Sequence, residues 1–296
     1  KLMGMLTSKK WFAKFQEKMM QSKKGSNIDG LHCEERYIKS RNGNADIRIR
    51  IFKPLNSTGE LPAMLYIHGG GYMFGIPDED GTIYKDFINA KQCIIVAPDY
   101  TKSLTAPYPA AFNDCYDTLL WLKENAHSLG ANQDKFIVGG HSAGGGLTAA
   151  VVMKASDTKD VNIAFQMPIY PMIDDRLTPS STDNNAPVWN SKSNRLGWSL
   201  YLKGLAEFPV YAAVARATDY SKLPPTITYV GSIEPFRDET IAYVENLRKE
   251  DIPVRFEMFE GAFHEFDVLL GTDTTIGKRA KKFLADNYKE FVEKYY

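Results

Sequence analysis

The sequence has few of the features that mark a secreted, membrane-spanning or disulfide-linked protein. Its 296 residues include only three cysteines, Cys33, Cys93 and Cys115, and none of them forms a Cys-x-x-Cys pair. Isolated thiols of this kind are typical of a reducing compartment, so we expect a cytoplasmic protein. The longest apolar runs, such as residues 93–98, are too short to span a bilayer, and residues 1–21 show no signal peptide.

The sequence also lacks an excess of charge of either sign, because 36 basic residues balance 36 acidic ones. A chain without an overall basic field has little electrostatic attraction for nucleic acid, and we expect no nucleic-acid partner. The composition, 44% hydrophobic and 24% charged, is that of an ordinary globular protein. At this length, one α/β domain with a lid can bury a large core.

Apolar strand-like runs alternate with helical patterns along most of the chain. A hairpin is predicted in residues 32–53 around Asn42-Gly43-Asn44. The later strand-like runs are residues 62–67, 93–97, 136–140, 163–170, 225–230 and 254–259. Helical patterns separate several of these runs, and a clear amphipathic pattern covers residues 280–295. The alternation predicts an α/β fold with a mostly parallel sheet covered by helices on both faces.

Two segments stand outside this alternation. Residues 5–25 place apolar side chains, including Trp11 and Phe15, at helical spacing among lysines. A helix lying over the main domain is the favoured interpretation, and a helix on a membrane surface is the alternative. Residues 172–223 are too long for a connection between a strand and a helix and too aromatic for a disordered linker. We expect a lid over the carboxyl edge of the sheet.

The lid segment supplies aromatic candidates for a substrate pocket. They are Trp189, Trp198 and Tyr201, and Tyr72 of the main domain joins them as a fourth candidate. For any single aromatic residue, a place in the core of the lid is the simpler role.

The stretch Gly140-His141-Ser142-Ala143-Gly144 ends an apolar run and precedes a helix-compatible segment. A strand, a sharp turn and a helix with serine at the apex form a nucleophile elbow, in which the flanking glycines avoid a Cβ clash. The pattern alone arises by chance in roughly one such chain in ten. A phosphate-binding loop is the other interpretation, but no Gly-Lys-Ser/Thr follows the turn.

A serine nucleophile requires a base, and the base requires an acid that orients it. In α/β-hydrolases these partners follow the serine in the order acid, then histidine. His264 is the only histidine after Ser142, which selects it as the base. The acid should follow the preceding strand, where Glu234 is the first carboxylate and is favoured. Asp238 is the alternative acid, although an acidic residue there could simply stabilise a helix N-terminus.

The negative charge that forms during attack on an ester needs preorganised donors. His68-Gly69-Gly70-Gly71 follows an apolar strand and supplies backbone N–H groups without side chains, as the glycine loops of lipases and esterases do. This HGGG motif is rare by chance, and it follows the strand that should carry such a loop.

Several ordered motifs together are similar to those of one enzyme family. They are His68-Gly69-Gly70-Gly71-Tyr72, Asp99-Tyr100, Tyr108-Pro109-Ala110, Gly140-His141-Ser142-Ala143-Gly144-Gly145, Ala217-Thr218-Asp219 to Leu223-Pro224-Pro225, and Gly261-Ala262-Phe263-His264. With these motifs, the chain resembles the hormone-sensitive-lipase-like esterases, the bacterial family IV type, of the α/β-hydrolase superfamily. The resemblance implies an α/β-hydrolase fold with a helical cap.

The resemblance also implies roles for individual residues and segments. Ser142 would be the nucleophile and His264 the base, and the backbone N–H groups of Gly70, Gly71 and Ala143 would form the oxyanion hole. The cap would consist of residues 1–30 and 172–223, and the catalytic domain of residues 31–171 and 224–296.

Three positions depart from the family pattern. The family usually has Asp before the nucleophile, where this chain has His141, and Asp as the catalytic acid, where this chain has Glu234. The sequence of residues 101–105 also differs from the Arg-Leu-Ala-Pro motif that is usual in the family. We interpret His141 as a residue that tunes the elbow or packs beneath it, because its position in the turn directs it away from the hydroxyl of Ser142.

The leading functional hypothesis is a carboxylic ester hydrolase that needs no metal and no cofactor. It would act on small short-to-medium acyl esters through an acyl-enzyme. An amidase, peptidase or deacetylase with the same triad is the first alternative, because one fold hosts all of these reactions. A binding protein that traps a small ligand without turnover is the second. Formation of a homodimer is left open.

Overall fold

The computed structural model describes residues 9–41, 45–269 and 273–296. Its strands are β1 (Leu31–Ile38), β2 (Ile47–Pro54), β3 (Ala63–Ile67), β4 (Ile94–Pro98), β5 (Phe136–His141), β6 (Ile163–Ile169), β7 (Thr226–Gly231) and β8 (Val254–Phe259). Its α-helices are α1 (Lys10–Met20), α2 (Gly81–Ala90), α3 (Ala110–Leu129), α4 (Ala143–Thr158), α5 (Ser191–Tyr201), α6 (Arg237–Lys249), α7 (Phe266–Leu269) and α8 (Thr275–Tyr295). The elements alternate as the hydrophobic pattern predicted.

The strands form one sheet in the order β1-β2-β4-β3-β5-β6-β7-β8. β2 pairs antiparallel with both β1 and β4, whereas the pairs from β4 to β8 are parallel. The mostly parallel sheet is therefore confirmed. The two strands of the predicted hairpin pair along their length, with Ile38 opposite Ile47. Its predicted turn, Asn42-Gly43-Asn44, lies outside the described residues.

Side chains of the central strands point alternately to two hydrophobic layers. Leu65 and Ile67 of β3 belong to the layer that also contains apolar residues of α3, α4 and α6. Met64 and Tyr66 belong to the other layer, which contains residues of α2 and α8. Because successive residues of a strand face opposite sides, a strand covered on both faces must be apolar throughout. This explains why these strands appear in the sequence as continuous apolar runs.

The parallel strands bring four predicted motifs to one edge of the sheet. The glycine loop starting at His68 follows β3, and Ser142 follows β5, the neighbour of β3. Glu234 follows β7, and His264 follows β8, its neighbour. Since parallel strands have their carboxyl ends at the same edge, residues far apart in the sequence converge there.

A buried ion pair fastens the chain after the glycine loop to β2. The guanidinium of Arg48 donates two hydrogen bonds to Asp78, at 2.8 and 3.0 Å, and both side chains are almost completely buried. Asp78 also accepts a hydrogen bond of 3.0 Å from the backbone N–H of Gly25. One carboxylate therefore connects β2, the segment after the glycine loop and the chain that follows α1.

The N-terminal helix lies over the main domain, and its row of large apolar side chains faces outward. Ala13 is fully buried, whereas Trp11, Phe15 and Met19 are 61%, 55% and 55% exposed. The predicted helix began at residue 5, and residues 5–8 lie outside the described part of the chain. Within the described ranges, every helix is too short or too polar to traverse a lipid bilayer.

Candidate active site

Ser142 occupies a strained position between β5 and α4. Its backbone has φ 57° and ψ −123°, a conformation that residues with a side chain rarely adopt. The backbone N–H of Ser142 donates to the carbonyl of Ile169 at 3.0 Å, and its own carbonyl accepts from the backbone N–H of Met172 at 3.0 Å. These bonds to β6 and to the chain after it hold the turn in place.

The flanking glycines of the elbow are required by close backbone contacts. A Cβ atom on Gly140 would lie 2.5 Å from the carbonyl oxygen of Ile67, and one on Gly144 would meet the same oxygen even more closely. Neither contact can be relieved by moving a flexible side chain, because the obstacle is the backbone of β3. The prediction that these glycines avoid a Cβ clash is confirmed.

Ser142, His264 and Glu234 form a continuous hydrogen-bonded chain. The Nε2 atom of His264 lies 2.8 Å from Oγ of Ser142, and its Nδ1 atom contacts Oε2 of Glu234. The other carboxylate oxygen of Glu234 accepts a hydrogen bond of 2.7 Å from the backbone N–H of Gly231. The side chains of Ser142, His264 and Glu234 are each at most 2% exposed. The arrangement can take the proton of the serine hydroxyl and stabilise the resulting imidazolium.

The carboxylate of Glu234 tunes the basicity of His264. Burial by itself lowers the pKa of the imidazole, but the charge of Glu234 and its hydrogen bond outweigh burial, so the pKa of His264 is raised. Tyr170 and Phe236 each contact the ring edge to face, with centroids 4.9 Å away. These contacts restrict the orientation of the base.

Asp238, the alternative acid, contacts residues other than His264. It belongs to the first turn of α6, where Oδ2 accepts a hydrogen bond of 2.7 Å from the backbone N–H of Ser180. Its other oxygen pairs with Arg237 at 2.7 Å. Asp238 therefore fastens the loop after β6 to a helix start, the structural role that the sequence left open for it.

The glycine loop folds back on itself after β3. The carbonyl of Gly70 accepts hydrogen bonds from the backbone N–H groups of Met73 and Phe74, at 2.9 and 3.1 Å. Gly70 and Gly71 have φ values of 115° and 59°, and residues with a side chain rarely adopt such values. A Cβ on Gly71 would also collide with the indole ring of Trp189.

Ala143 is the first residue of α4, so its N–H has no acceptor within the helix. Gly70, Gly71 and Ser142 line one cavity. The three backbone groups assigned to the oxyanion hole thus belong to the elbow and to the loop beside it.

His141 supports the glycine loop through a hydrogen bond. Its Nε2 atom accepts from the backbone N–H of Gly69 at 3.2 Å, and its Nδ1 atom lies 3.3 Å from the hydroxyl of Tyr66. An imidazole that accepts at Nε2 must carry its proton on Nδ1, so the ring is neutral and donates to Tyr66. Burial, together with the charge of His264, lowers the pKa of His141 to about 3, which favours this neutral form.

A cavity of about 140 Å³ opens beside Ser142. Apolar side chains dominate its wall, which includes Met20, Phe74, Trp189 and Leu269. One acidic group, Glu265, also lines it, and burial raises the pKa of that carboxyl. A space of this size and polarity suits a small apolar ligand.

Of the four aromatic residues predicted to line a pocket, only Trp189 is in the wall of this cavity. Tyr72, Trp198 and Tyr201 do not line this cavity and are buried in the hydrophobic layer above the sheet, to which Trp189 also belongs. Tyr72 and Tyr201 stack at 3.9 Å between ring centroids, and the hydroxyl of Tyr72 donates to the carbonyl of Met172 at 2.7 Å. Their mutual stacking keeps them in the core.

Comparison with known proteins identifies the family of the chain. The family model for the alpha/beta hydrolase fold matches residues 64–268, which is more than half of the chain. The chain belongs to this family. Within the family, it is of the hormone-sensitive-lipase-like type that its motifs predicted.

The hydrolase is similar to several esterases. It is 32% identical to carboxylesterase NlhH of Mycobacterium tuberculosis over 76% of this chain and 72% of that protein. An arylesterase of Saccharolobus solfataricus is 28% identical over 79% of this chain and 77% of that protein. Among solved structures, a bacterial heroin esterase superimposes with a TM-score of 0.86 and 29% identity, over 95% of this chain and 90% of that chain. The hydrolase is a carboxylic ester hydrolase.

Sequence reasoning missed several residues of this hydrolase that surround the site. Gln16 and Met20 of α1 line the cavity, although the sequence indicated only that this segment could belong to a lid. Glu239 accepts hydrogen bonds from the backbone N–H groups of Ile173 and Asp174, at 2.7 and 3.2 Å, and so fixes the chain where it leaves β6. Its position after Asp238 carried no signal, because consecutive acidic residues are common at helix starts.

Proposed function

We propose that the hydrolase cleaves small, uncharged carboxylic esters with short-to-medium acyl groups through an acyl-enzyme on Ser142. The observation that carries the proposal is the hydrogen-bonded chain from Ser142 through His264 to Glu234, at the floor of an apolar cavity. In the first step, Oγ of Ser142 attacks the acyl carbonyl carbon while Nε2 of His264 takes its proton. Glu234 holds the imidazole in the correct tautomer.

The negative charge that develops on the carbonyl oxygen is stabilised by the backbone N–H groups of Gly70, Gly71 and Ala143. His264 then returns its proton to the leaving alkoxide, and the alcohol departs. In the second half of the reaction, His264 activates a water molecule, which attacks the acyl carbon and releases the acid. The same donors stabilise both tetrahedral intermediates, and no metal or cofactor takes part in either.

The wall of the cavity supports the choice of substrate. Met20, Phe74 and Trp189 present apolar surface to the acyl chain, and a cavity volume of about 140 Å³ limits its length. Among the residues that the structure describes, the wall contains the carboxyl group of Glu265 and no lysine or arginine, so it offers no cationic partner to an anionic substrate.

We also propose the division of the chain into a cap, residues 1–30 and 172–223, and a catalytic domain, residues 31–171 and 224–296. In support, α1 and Trp189 contribute to the cavity wall from outside the sheet and its covering helices. A cytoplasmic location is proposed as well, and the three free cysteines are consistent with it.

Hydrolysis of p-nitrophenyl esters of graded acyl length by wild type and Ser142→Ala tests the proposal. We expect the substitution to lower kcat by roughly 10⁴-fold or more, because it removes the nucleophile. Ser156→Ala is the matched control, since Ser156 lies near the end of the same helix α4, far from the elbow. Undiminished turnover by Ser142→Ala would contradict the proposal.

The amide alternative is tested with p-nitroanilides of the same acyl groups. We expect the esters to be turned over much faster than the anilides, because an alkoxide or phenolate leaves more readily than an amine anion. Faster turnover of the anilides would show that the enzyme is an amide hydrolase, and the assignment of the triad would not change. A phosphonate that labels wild type and not Ser142→Ala would exclude the binding-protein alternative.

A further inference from the structure

The exposed half of α1 is divided into two parallel stripes. Successive residues of an α-helix are turned by about 100°, so residues at intervals of four form continuous rows. The lysine stripe consists of Lys10, Lys14 and Lys18, and the apolar stripe consists of Trp11, Phe15 and Met19. All six side chains are exposed. Three large apolar side chains exposed in one row are unusual on a protein surface and indicate a contact surface.

The opposite face of α1 is fastened to the body of the hydrolase. Glu17 accepts a hydrogen bond of 3.1 Å from the backbone N–H of Gly75 through Oε2, and one of 2.8 Å from Gln21 through Oε1. Ala13 is fully buried, and Gln16 and Met20 line the cavity beside Ser142. Because these contacts already occupy the inward face, the two stripes face away from the protein.

The charge around α1 is strongly one-sided. Residues 9–24 contain six lysines and one acidic residue, although the whole chain has as many acidic as basic residues. That acidic residue, Glu17, is turned inward. Among the described residues, the three lysines of the lysine stripe have no ion-pair partner. The outer face of α1 therefore presents an unbalanced positive charge beside an apolar row.

We propose that the outer face of α1 docks on the surface of an anionic phospholipid bilayer. The apolar stripe would insert between the headgroups, where Trp and Phe side chains are favoured, and the lysine stripe would contact the phosphates. A nucleic acid would match the lysines but not the apolar row, and a neutral bilayer would match only the apolar row. An anionic bilayer matches both stripes, because it offers phosphates to the lysines and an apolar interior to Trp11, Phe15 and Met19.

Docking in this orientation would bring the cavity near the membrane. Met20 lines the cavity, and Phe15 and Met19, on the adjacent part of the same short helix, belong to the apolar stripe. Leu269, which also lines the cavity, is 47% exposed and extends the apolar surface at this side of the molecule. The proposal concerns a binding surface and needs no turnover, so it stands independently of the proposed function.

Co-sedimentation of the full chain with vesicles tests the proposal. Vesicles that contain phosphatidylglycerol in phosphatidylcholine are compared with vesicles of phosphatidylcholine alone. We expect binding only to the anionic vesicles, and release when the salt concentration is raised. Replacing Lys10, Lys14 and Lys18 together by Gln should weaken binding by about fivefold per lysine. The double variant Trp11→Ser with Phe15→Ser should weaken it by about tenfold or more.

A triple substitution of Lys278, Lys282 and Lys289 by Gln is the matched control, because it removes the same charge from the exposed side of α8. We expect this variant to bind like wild type. Turnover of a water-soluble ester should be unchanged in all variants, which shows that they fold. Equal binding to neutral and anionic vesicles, or equal loss in the control variant, would overturn the proposal.

Sedimentation velocity tests whether a second copy of the chain, and not a membrane, covers the apolar stripe. A dimer that the substitution of Trp11 and Phe15 dissociates, without any binding to vesicles, would assign the apolar stripe to a second copy of the chain and overturn the proposal. The same measurements on Ser142→Ala, which keeps both stripes, distinguish failure of docking from failure of the proposed chemistry.

Discussion

At the scale of single residues, the assignment of the acid depends on one contact. Glu234 contacts Nδ1 of His264 and also accepts a backbone hydrogen bond from Gly231, so its carboxylate is held on both oxygens. Asp238 is directed to Ser180 and Arg237 instead. Glu is one methylene longer than the Asp usual at this position, and the strand-end turn that follows β7 accommodates it.

The first prediction concerns Glu234→Gln. The substitution removes the charge that raises the pKa of His264, so that pKa should fall. Because the base must be neutral to accept the proton, activity is lost as pH falls through this pKa, and the acid limb of the profile of kcat/KM against pH should move to lower pH. The plateau should fall by roughly 10⁴-fold, because the amide can hold the wrong tautomer.

Asp238→Asn is the matched control for this experiment. We expect it to leave both the plateau and the acid limb unchanged. A larger loss of kcat in Asp238→Asn than in Glu234→Gln would overturn the assignment of the acid.

The second prediction concerns His141 as a positioning residue. His141→Phe removes the acceptor for the N–H of Gly69, which leaves a buried donor unsatisfied and the glycine loop less well fixed. We expect kcat to fall by about tenfold while KM changes little, because the donors of the oxyanion hole act mainly in the transition state. His141→Gln, whose side-chain oxygen can reach the same N–H, should recover part of the loss.

Kinetics and stability together distinguish this role from a purely structural one. If His141→Phe lowers the melting temperature and leaves kcat intact, the residue supports the fold and does not position the loop.

At the scale of elements, the connection of the glycine loop to β2 depends on a buried ion pair. Arg48 is only 3% exposed, and Asp78 provides both oxygens of its bidentate contact. Removing Asp78 takes a buried counter-charge from Arg48 and from Arg50, whose Nε lies 3.3 Å from it, and leaves Arg48 only the more exposed Glu35 and Asp99. Such a loss is much more costly than the loss of an exposed pair.

The third prediction follows from this contrast. Asp78→Ala should lower the free energy of unfolding by about 3–5 kcal/mol, measured by urea denaturation. Asp286→Ala removes the exposed pair of Asp286 with Lys282 and should cost less than about 1 kcal/mol. Similar losses in the two variants would show that the pair of Arg48 and Asp78 contributes no more than a surface contact.

The element α1 shows where reasoning from periodicity fails. The spacing of its apolar residues predicted a helix, and the helix is present at Lys10–Met20. A helix that lies over a domain usually buries its apolar face, but Trp11, Phe15 and Met19 are exposed. The orientation is set by the contact of Glu17 with Gly75 and by the cavity wall, not by the larger apolar face. The spacing of apolar residues identifies one face of a helix but not the surface that covers that face.

At the scale of the whole molecule, the cavity wall is shared by segments that are distant in the sequence. Trp189, from the connection between β6 and β7, packs against Gly71, and residues of α1 complete the wall. Trp198, only nine positions later, is buried among the aromatic residues above the sheet. Both tryptophans pack in the same hydrophobic layer, but only Trp189 of the two also lines the cavity, so we expect them to have different roles.

The fourth prediction separates these roles. Trp189→Ala should raise the ratio of kcat/KM for octanoyl over acetyl esters by roughly tenfold, because it enlarges the acyl site. Trp198→Ala should leave this ratio unchanged and lower the free energy of unfolding by about 3–5 kcal/mol, because it creates a cavity in the core. A shift of the ratio in Trp198→Ala would restore that residue to the pocket.

The sequence alone determined the elements, their order and two members of the candidate site. Apolar runs, glycine turns and the order of Ser142 and His264 are local or sequential properties, and they are sufficient to predict a mostly parallel sheet with a serine elbow. Only the tertiary structure decided which carboxylate meets the histidine, which aromatic side chains line the cavity, what His141 supports and which face α1 buries. The reason is physical. These outcomes depend on contacts between residues that are distant in the sequence, 30 positions apart for Glu234 and His264 and 72 for His141 and Gly69, and such contacts form where strand ends and loops meet in space.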